Sequence, residues 1–293
     1  MVEQSAADSP PGGASQRPEP SLLRRALDPR VESTIRRRLE RDLRTAVVQG
    51  GLVLYYQPRL SLTSGAIVAA EALLRWPHPR QGLISPGTFI PLAERTDLIT
   101  DIGGFVLTAA CAEAARWPAS GAGIAPSVCV NVSARQLVES VLLEQLASAL
   151  DASGLPAERL EIELDESIVA TTSIETMLAL SAVRDLGVGL TLDNFGTGYA
   201  SLSILKRLPL TVMKLDRSLI RTLPDDTEEA ALVQAVVAAG HALGLTVVAE
   251  GIETETQRAF LAGIGCDEGQ GFLFSHPQPA AALATRLLFT TAT

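Results

Sequence analysis

Between residues 53 and 274, eight short strand-like runs alternate with helix-like segments, and this alternation restricts the fold more than any other feature. The runs are 53–57, 67–74, 128–132, 160–164, 188–192, 212–215, 246–249 and 271–274. Helix-like segments fill most of the gaps, at 89–95, 104–117, 138–153, 173–186, 227–243 and 254–264. Several close on a glycine (Gly154, Gly187, Gly244, Gly265), as helix C-termini do. Alternation of this kind predicts parallel strands under a helical layer, and eight repeats favour a closed barrel over an open doubly wound sheet. The first two runs are joined only by Thr63-Ser64-Gly65, too short for a helix, so they should pair as an antiparallel hairpin. The expected fold is α/β, a modified TIM (β/α)8 barrel with an antiparallel first strand.

Length and composition agree. A chain of 293 residues accommodates one barrel, which takes about 250 residues. Apolar residues make up 47% and aromatics only 4%, so the core is built from Ala, Val, Leu and Ile, as parallel strands prefer. Before the barrel, residues 1–28 are rich in Pro, Gly, Ser and Ala and read as a disordered tail. Residues 29–50 read as a helix with Val31, Ile35, Leu39, Leu43 and Val47 at helical spacing. Arg36, Arg37 and Arg38 give it a basic face, suited to an acidic partner or simply to solvent. The barrel domain is expected over 51–289.

The net charge of -9 argues against binding a nucleic acid polymer. A small anionic ligand stays open, because a bound metal ion inverts the local field. Cys111, Cys129 and Cys266 stand far apart in apolar sequence and read as buried reduced thiols of a cytoplasmic protein. Residues 230–249 carry no charge, yet Gly240 and Gly244 divide them, so helix, turn and buried strand are expected rather than a membrane span.

The residue at or just past each run's end is informative. Glu71 lies late in the second run, with Arg75 beyond it, and Asn131 ends the third. Glu163 and Glu166 end the fourth, Asp193 and Asn194 the fifth, Lys214 and Asp216 the sixth. Glu250 and Glu253 end the seventh, and Gln270 precedes the last. Asp193-Asn194 before Gly196 and Gly198 could alone be a helix-capping turn. Recurrence at seven strands out of eight argues otherwise, since barrel strand ends converge on one face. The set is oxygen-rich, with one Lys and one Arg and without His or Cys, which suits Mg²⁺, Mn²⁺ or Ca²⁺ and disfavours zinc. His78, His241 and His276 have no ligand spacing, and no motif for a covalent nucleophile occurs. A divalent ion beside a cationic side chain suits hydrolysis of a phosphodiester.

The same residues carry a family resemblance. Glu71-Ala72-Leu73, followed by Leu74-Arg75-Trp76, resembles the signature of EAL domains, the cyclic di-GMP phosphodiesterases. The likeness covers roughly residues 39–283. It includes Tyr56-Gln57-Pro58, Phe89-Ile90-Pro91, the segment from Glu163 to Ser167, Lys214-Leu215-Asp216, Glu250-Gly251-Ile252-Glu253 and Gln270-Gly271. The resemblance implies that Glu71, Asn131, Glu163 and Asp193 hold a first Mg²⁺ or Mn²⁺, with Glu250 beside it and Asn194 facing a second. It implies that Lys214 contacts the attacking water or the phosphate, with either Lys214 or Glu250 as the base. Glu166 would brace the loop after Asp193. Gln57, Leu74, Arg75, Asp216, Glu253 and Gln270 would line the substrate site. The implied reaction opens cyclic di-GMP to linear pGpG, in a homodimer paired near the Asp193 loop. Asn194 departs from the family pattern, which has a second Asp there, and removes a full charge. Asp165 stands where Thr is usual, and Ala200 where Ser is. A catalytically impaired receptor for the dinucleotide is the alternative that Asn194 supports.

Overall fold

A computed structural model describes residues 29–119, 125–138, 141–170, 173–198 and 202–290. The tail expected over 1–28, and Ala200, lie outside the described residues. The chain divides into two units, Met1–Leu39 and Glu40–Thr293. The described part of the first begins the helix Pro29–Gln49, on which Arg36, Arg37 and Arg38 are exposed.

The second unit holds the strands β1 (Val53–Ser61), β2 (Ile67–His78), β3 (Gly82–Ile84), β4 (Ser127–Asn131) and β5 (Leu160–Asp165). It continues with β6 (Gly189–Phe195), β7 (Val212–Leu215), β8 (Thr246–Ala249), β9 (Glu268–Gly269) and β10 (Gln278–Pro279). Strands β2, β4, β5, β6, β7, β8 and β9 pair in parallel in that order. β1 is antiparallel to both β2 and β9 and closes the ring at eight strands. The expected barrel with an antiparallel first strand is therefore present. β3 and β10 add to β2 and β1 outside the ring.

One expected strand is misplaced. Residues 271–274 form a turn, in which Phe274 and Ser275 donate backbone hydrogen bonds to the Gly271 carbonyl at 3.1 Å each. The eighth strand is β9, immediately upstream. Its pairing with β8 is continued by Gln270 N donating to Ala249 O at 2.9 Å. A Cβ at Gly271 would overlap the Ile252 backbone, so the chain can cross there only at glycine. Gly104, read as a helix start, instead lies with Gly103 inside the helix Leu98–Ala114. The Gln136 side chain lies where a Cβ of Gly103 would be.

Leu, Val, Ile and Ala dominate the buried set, and all three cysteines are free and buried. Residues 230–249 fall in the helix Thr227–Ala242, a turn and β8. Among the described residues no helix is long and apolar enough to cross a membrane.

Candidate active site

The stagger of strands around a barrel brings inward side chains that are not register partners to one level. At one such level lie Glu71 of β2, Glu163 of β5, Asp193 of β6 and Glu250 just past β8. All four carboxylates face the ammonium of Lys214, from β7, which is 0% exposed. Its Nζ lies 2.6 Å from Glu250 Oε1, 3.0 Å from Glu163 Oε2, 3.2 Å from Asp193 Oδ1 and 3.5 Å from Glu71 Oε2. Asn131 donates to Glu71 Oε1 at 2.8 Å, and Gln270 to Glu71 Oε2 at 2.7 Å. Gln270 also donates to Gln57 Oε1 at 3.2 Å, and Gln57 to the Ser275 carbonyl at 3.0 Å.

Burial and charge set the protonation of this cluster. Burial opposes a charged Lys214, but the surrounding carboxylates outweigh it and hold the ammonium well above its ordinary pKa. Burial also opposes ionisation of Glu71, yet Lys214 and the amides of Gln270 and Asn131 hold its carboxyl below the usual range. Glu163 and Asp193 go up, chiefly through burial. Glu250 is pushed up to about 7 by burial and by the charges of Asp193 and Glu71, against the pull of Lys214.

The donor set can be tested for a divalent cation. Among the described residues no three acidic, His or Cys side chains form a group that could hold a metal ion as they stand, and the carboxylates close on Lys214 instead. Glu163 Oε1 is nevertheless buried and has no hydrogen-bond partner among the described residues. Four carboxyl groups stand against one ammonium, more acid than Lys214 alone can neutralise once ionised, and every donor is a hard oxygen. The residues fit a divalent cation.

Two cavities flank the cluster and share Glu71, Leu73 and Asn194. One, of about 270 Å³, has the more polar lining and includes Gln57, Asp216, Glu253 and Gln270 in it. The other, of about 560 Å³, is apolar, walled by Leu74, Ile90, Pro91, Ile99, Ile102 and Val106. Asp216 also caps the helix Arg217–Ile220, accepting from Ser218 N at 2.8 Å. Glu166, 1% exposed, accepts from Thr197 N at 3.0 Å and Thr197 Oγ1 at 2.8 Å, tying the loop after β6 to the end of β5.

Arg75 is the expected site residue that the structure does not bring to the cluster. Its guanidinium donates to the Leu74 carbonyl at 2.8 Å and lies 5.8 Å from the Tyr55 ring centroid. Arg217 and Phe272, given no role from sequence, also line the polar cavity. Arg217 follows Asp216 directly, and its place just past a strand end was the available signal. Phe272 is 55% exposed, with its ring 4.1 Å from that of His276. It lay in the segment expected as a strand.

The profile of the EAL domain matches residues 40–277. The bifunctional diguanylate cyclase/cyclic di-GMP phosphodiesterase MucR of Pseudomonas aeruginosa is 43% identical over 242 residues, 83% of this chain and 35% of that protein. The cyclic di-GMP phosphodiesterase NbdA of the same species is 41% identical over 253 residues, 86% of this chain and 32% of that protein. The chain thus spans about a third of the length of these curated relatives. The solved MucR phosphodiesterase in complex with c-di-GMP superposes with a TM-score of 0.78 at 43% identity, covering 84% of this chain and 99% of that one. The EAL domain of Mycobacterium smegmatis DcpA gives 0.69 at 35% identity, covering 83% and 99%. The chain belongs to the EAL domain family.

Proposed function

We propose that the chain hydrolyses cyclic di-GMP to linear pGpG with a divalent cation, Mg²⁺ or Mn²⁺. The observation that carries this is the convergence of four carboxylates from separate strands on one buried ammonium, between a polar and an apolar cavity. A cyclic dinucleotide has two nucleosides whose riboses are joined by phosphodiesters, and a cluster between two lobes suits a scissile phosphate at their junction. The phosphodiesterase relatives at about 40% identity support the same reading.

Glu71, Asn131, Glu163, Asp193 and Glu250 would hold the cation. When bound it would activate water and neutralise charge developing on the phosphate. Lys214, kept charged by its carboxylate ring, cannot take up a proton and acts as a fixed positive charge. Glu250 is the better proton acceptor, since its carboxyl is pushed up to about 7 within reach of the cavity. Gln57, Asp216, Glu253 and Gln270 line the substrate's polar lobe, and Leu74 its apolar lobe. Arg75 reaches substrate only by leaving the Leu74 carbonyl, at little cost for an exchange of one hydrogen bond for another. Asn194 lacks the charge that divalent ions prefer and weakens a second cation. A homodimer and a cytoplasmic location belong to the same reading.

The second reading, a receptor that binds without cleaving, rests on Asn194. Chromatographic detection of pGpG across a Mg²⁺ and Mn²⁺ titration separates the two. Product at any cation level establishes the hydrolase; tight nucleotide binding without product would make the chain a receptor.

A further inference from the structure

Asn194 and Asp165 are two separate departures along the sequence, but they touch in the fold. β5 and β6 pair so that Asp165 stands beside Asp193. The ladder from β6 to β7 shifts register between Leu192 and Phe195. Asn194 within that irregularity takes φ of 58°, in the left-handed region that Asn tolerates well. The backbone turn throws its amide across the two acids. Asn194 Nδ2 donates to Asp165 Oδ2 and to Asp193 Oδ2, each at 3.2 Å.

A primary amide nitrogen carries two N–H donors, one for each carboxylate here. The oxygens of Asp193 are thereby apportioned: Oδ2 to Asn194 and Oδ1 to Lys214. The oxygens of Asp165 are likewise divided, with Oδ1 accepting from Ser167 N at 2.8 Å and Oδ2 from Asn194. A carboxylate at 194 has no donor. It would turn both contacts repulsive and set three negative charges side by side.

We propose that Asp165 is a positioning residue acting through Asn194. The Asp165–Asn194–Asp193 bridge orients the Asp193 carboxylate toward Lys214 and the cation. It also makes an amide at 194 the matched partner of an acid at 165. Asn194 then belongs to a coupled pair, and the charge missing at 194 stands one hydrogen bond away at 165. This deepens the phosphodiesterase reading and rests on it only for turnover.

A four-member set tests it: wild type, Asn194→Asp, Asp165→Asn and the double variant, which swaps amide and acid. Each is measured for thermal midpoint in chelator, for Mn²⁺ affinity by electron paramagnetic resonance, and for kcat and KM on cyclic di-GMP. Asn194→Asp alone is expected to lower the midpoint and cut kcat by about 10–100-fold, as loss of a ligand-orienting contact does, with KM little changed. Affinity for the first Mn²⁺, the one Asp193 would hold, falls with it. The swap should recover only the part of each loss that comes from the 165–194 contact, because the amide it places at position 165 can donate to the carboxylate it places at position 194 while Asp193 keeps a carboxylate neighbour. An Asn194→Asp effect of equal size in both backgrounds overturns the proposal, as does a rise in kcat and Mn²⁺ affinity with Asp165 intact. If no member turns over the dinucleotide while midpoint and Mn²⁺ affinity remain non-additive, the hydrolase reading fails and the positioning role stands.

Discussion

The interior of the barrel carries two polar layers one pleat apart, and they treat charge differently. In the upper one Lys214 faces Glu71, Glu163, Asp193 and Glu250, and Glu163 Oε1 is left without a partner among the described residues. In the lower one Arg59, 3% exposed, clamps Glu161 through Nη1 at 2.9 Å and Nη2 at 2.8 Å, with Nε 2.5 Å from Glu268. Thr191 Oγ1 also donates to Glu161 at 3.2 Å. The planar guanidinium fork fits a carboxylate bidentately, where an ammonium is only a point charge. Both oxygens of Glu161 are engaged, so the lower layer is closed on itself. The upper layer keeps more carboxyl groups than Lys214 can neutralise and an idle oxygen. A closed layer holds strands in register, and under the proposed function the open one takes the cation.

The largest effects should come from removing each layer's cation. Lys214→Met leaves four carboxylates uncompensated, which costs about 3–5 kcal/mol in chelator and reduces turnover to background. Saturating Mn²⁺ should recover much of that stability in urea unfolding, without recovering turnover. Arg59→Met should cost a similar ~3–5 kcal/mol, with no recovery by Mn²⁺. The triple variant Arg59→Met, Glu161→Leu, Glu268→Leu removes all three charges at once and should return to within about 1–2 kcal/mol of wild type. Equal Mn²⁺ rescue of Lys214→Met and Arg59→Met would erase the distinction between the layers.

Proton linkage gives a smaller contrast. Glu250, near 7 in the fold, and the raised Glu163 and Asp193 bind protons that the unfolded chain has already released. Their contribution is fully present below the ordinary carboxylate value and lost as pH rises through the folded value. Glu71 alone in this layer runs the other way. Glu161, against burial, is held low by Arg59, so its contribution is present above the ordinary value and lost as pH falls through the folded one. Glu268, raised by burial, partly offsets it. In chelator the thermal midpoint should therefore fall as pH rises from about 5 to about 7, the value set by Glu250. Saturating Mn²⁺ should flatten that fall. A midpoint that rises over this range would show that the upper carboxylates are ionised in the fold without a cation.

The two layers were unequally legible in the sequence. Glu163, Asp193 and Glu250 announce themselves because each closes an apolar run, and run ends converge in a barrel. Arg59 and Glu161 sit between apolar neighbours and read as stray polar residues, and Glu268 is lost in the polar run from Asp267 to Gln270. Each is two positions from a cluster residue, Gln57, Glu163 and Gln270, so strand alternation places it on the same inner face. The signal was present in that period of two. What sequence could not supply was the cross-barrel approach of β1 to β5 that lets one guanidinium close the layer. Phe272 was hidden differently: Gly-Phe-Leu-Phe has strand composition, but the backbone of Ile252 crosses at Gly271 and turns it. Arg75 was placed by its position past a run end and by motif, and neither fixes where a long side chain rests.

The smallest expected effect decides whether the layers are independent. Thr191 and Asp193 share the inner face of β6, so the strand that closes the lower layer also carries a carboxylate of the upper one. Thr191→Val keeps the branched shape and removes one of the donors to Glu161, which still holds its two bonds from Arg59. Loss of one hydrogen bond to a charged group should cost about 1.5–3 kcal/mol, at the lower end here because Arg59 remains. If the layers act separately, kcat and Mn²⁺ affinity stay at the wild-type value while the urea midpoint falls. If kcat falls with stability, the strand transmits strain from Glu161 to Asp193, and the lower layer then sets the geometry of the upper one.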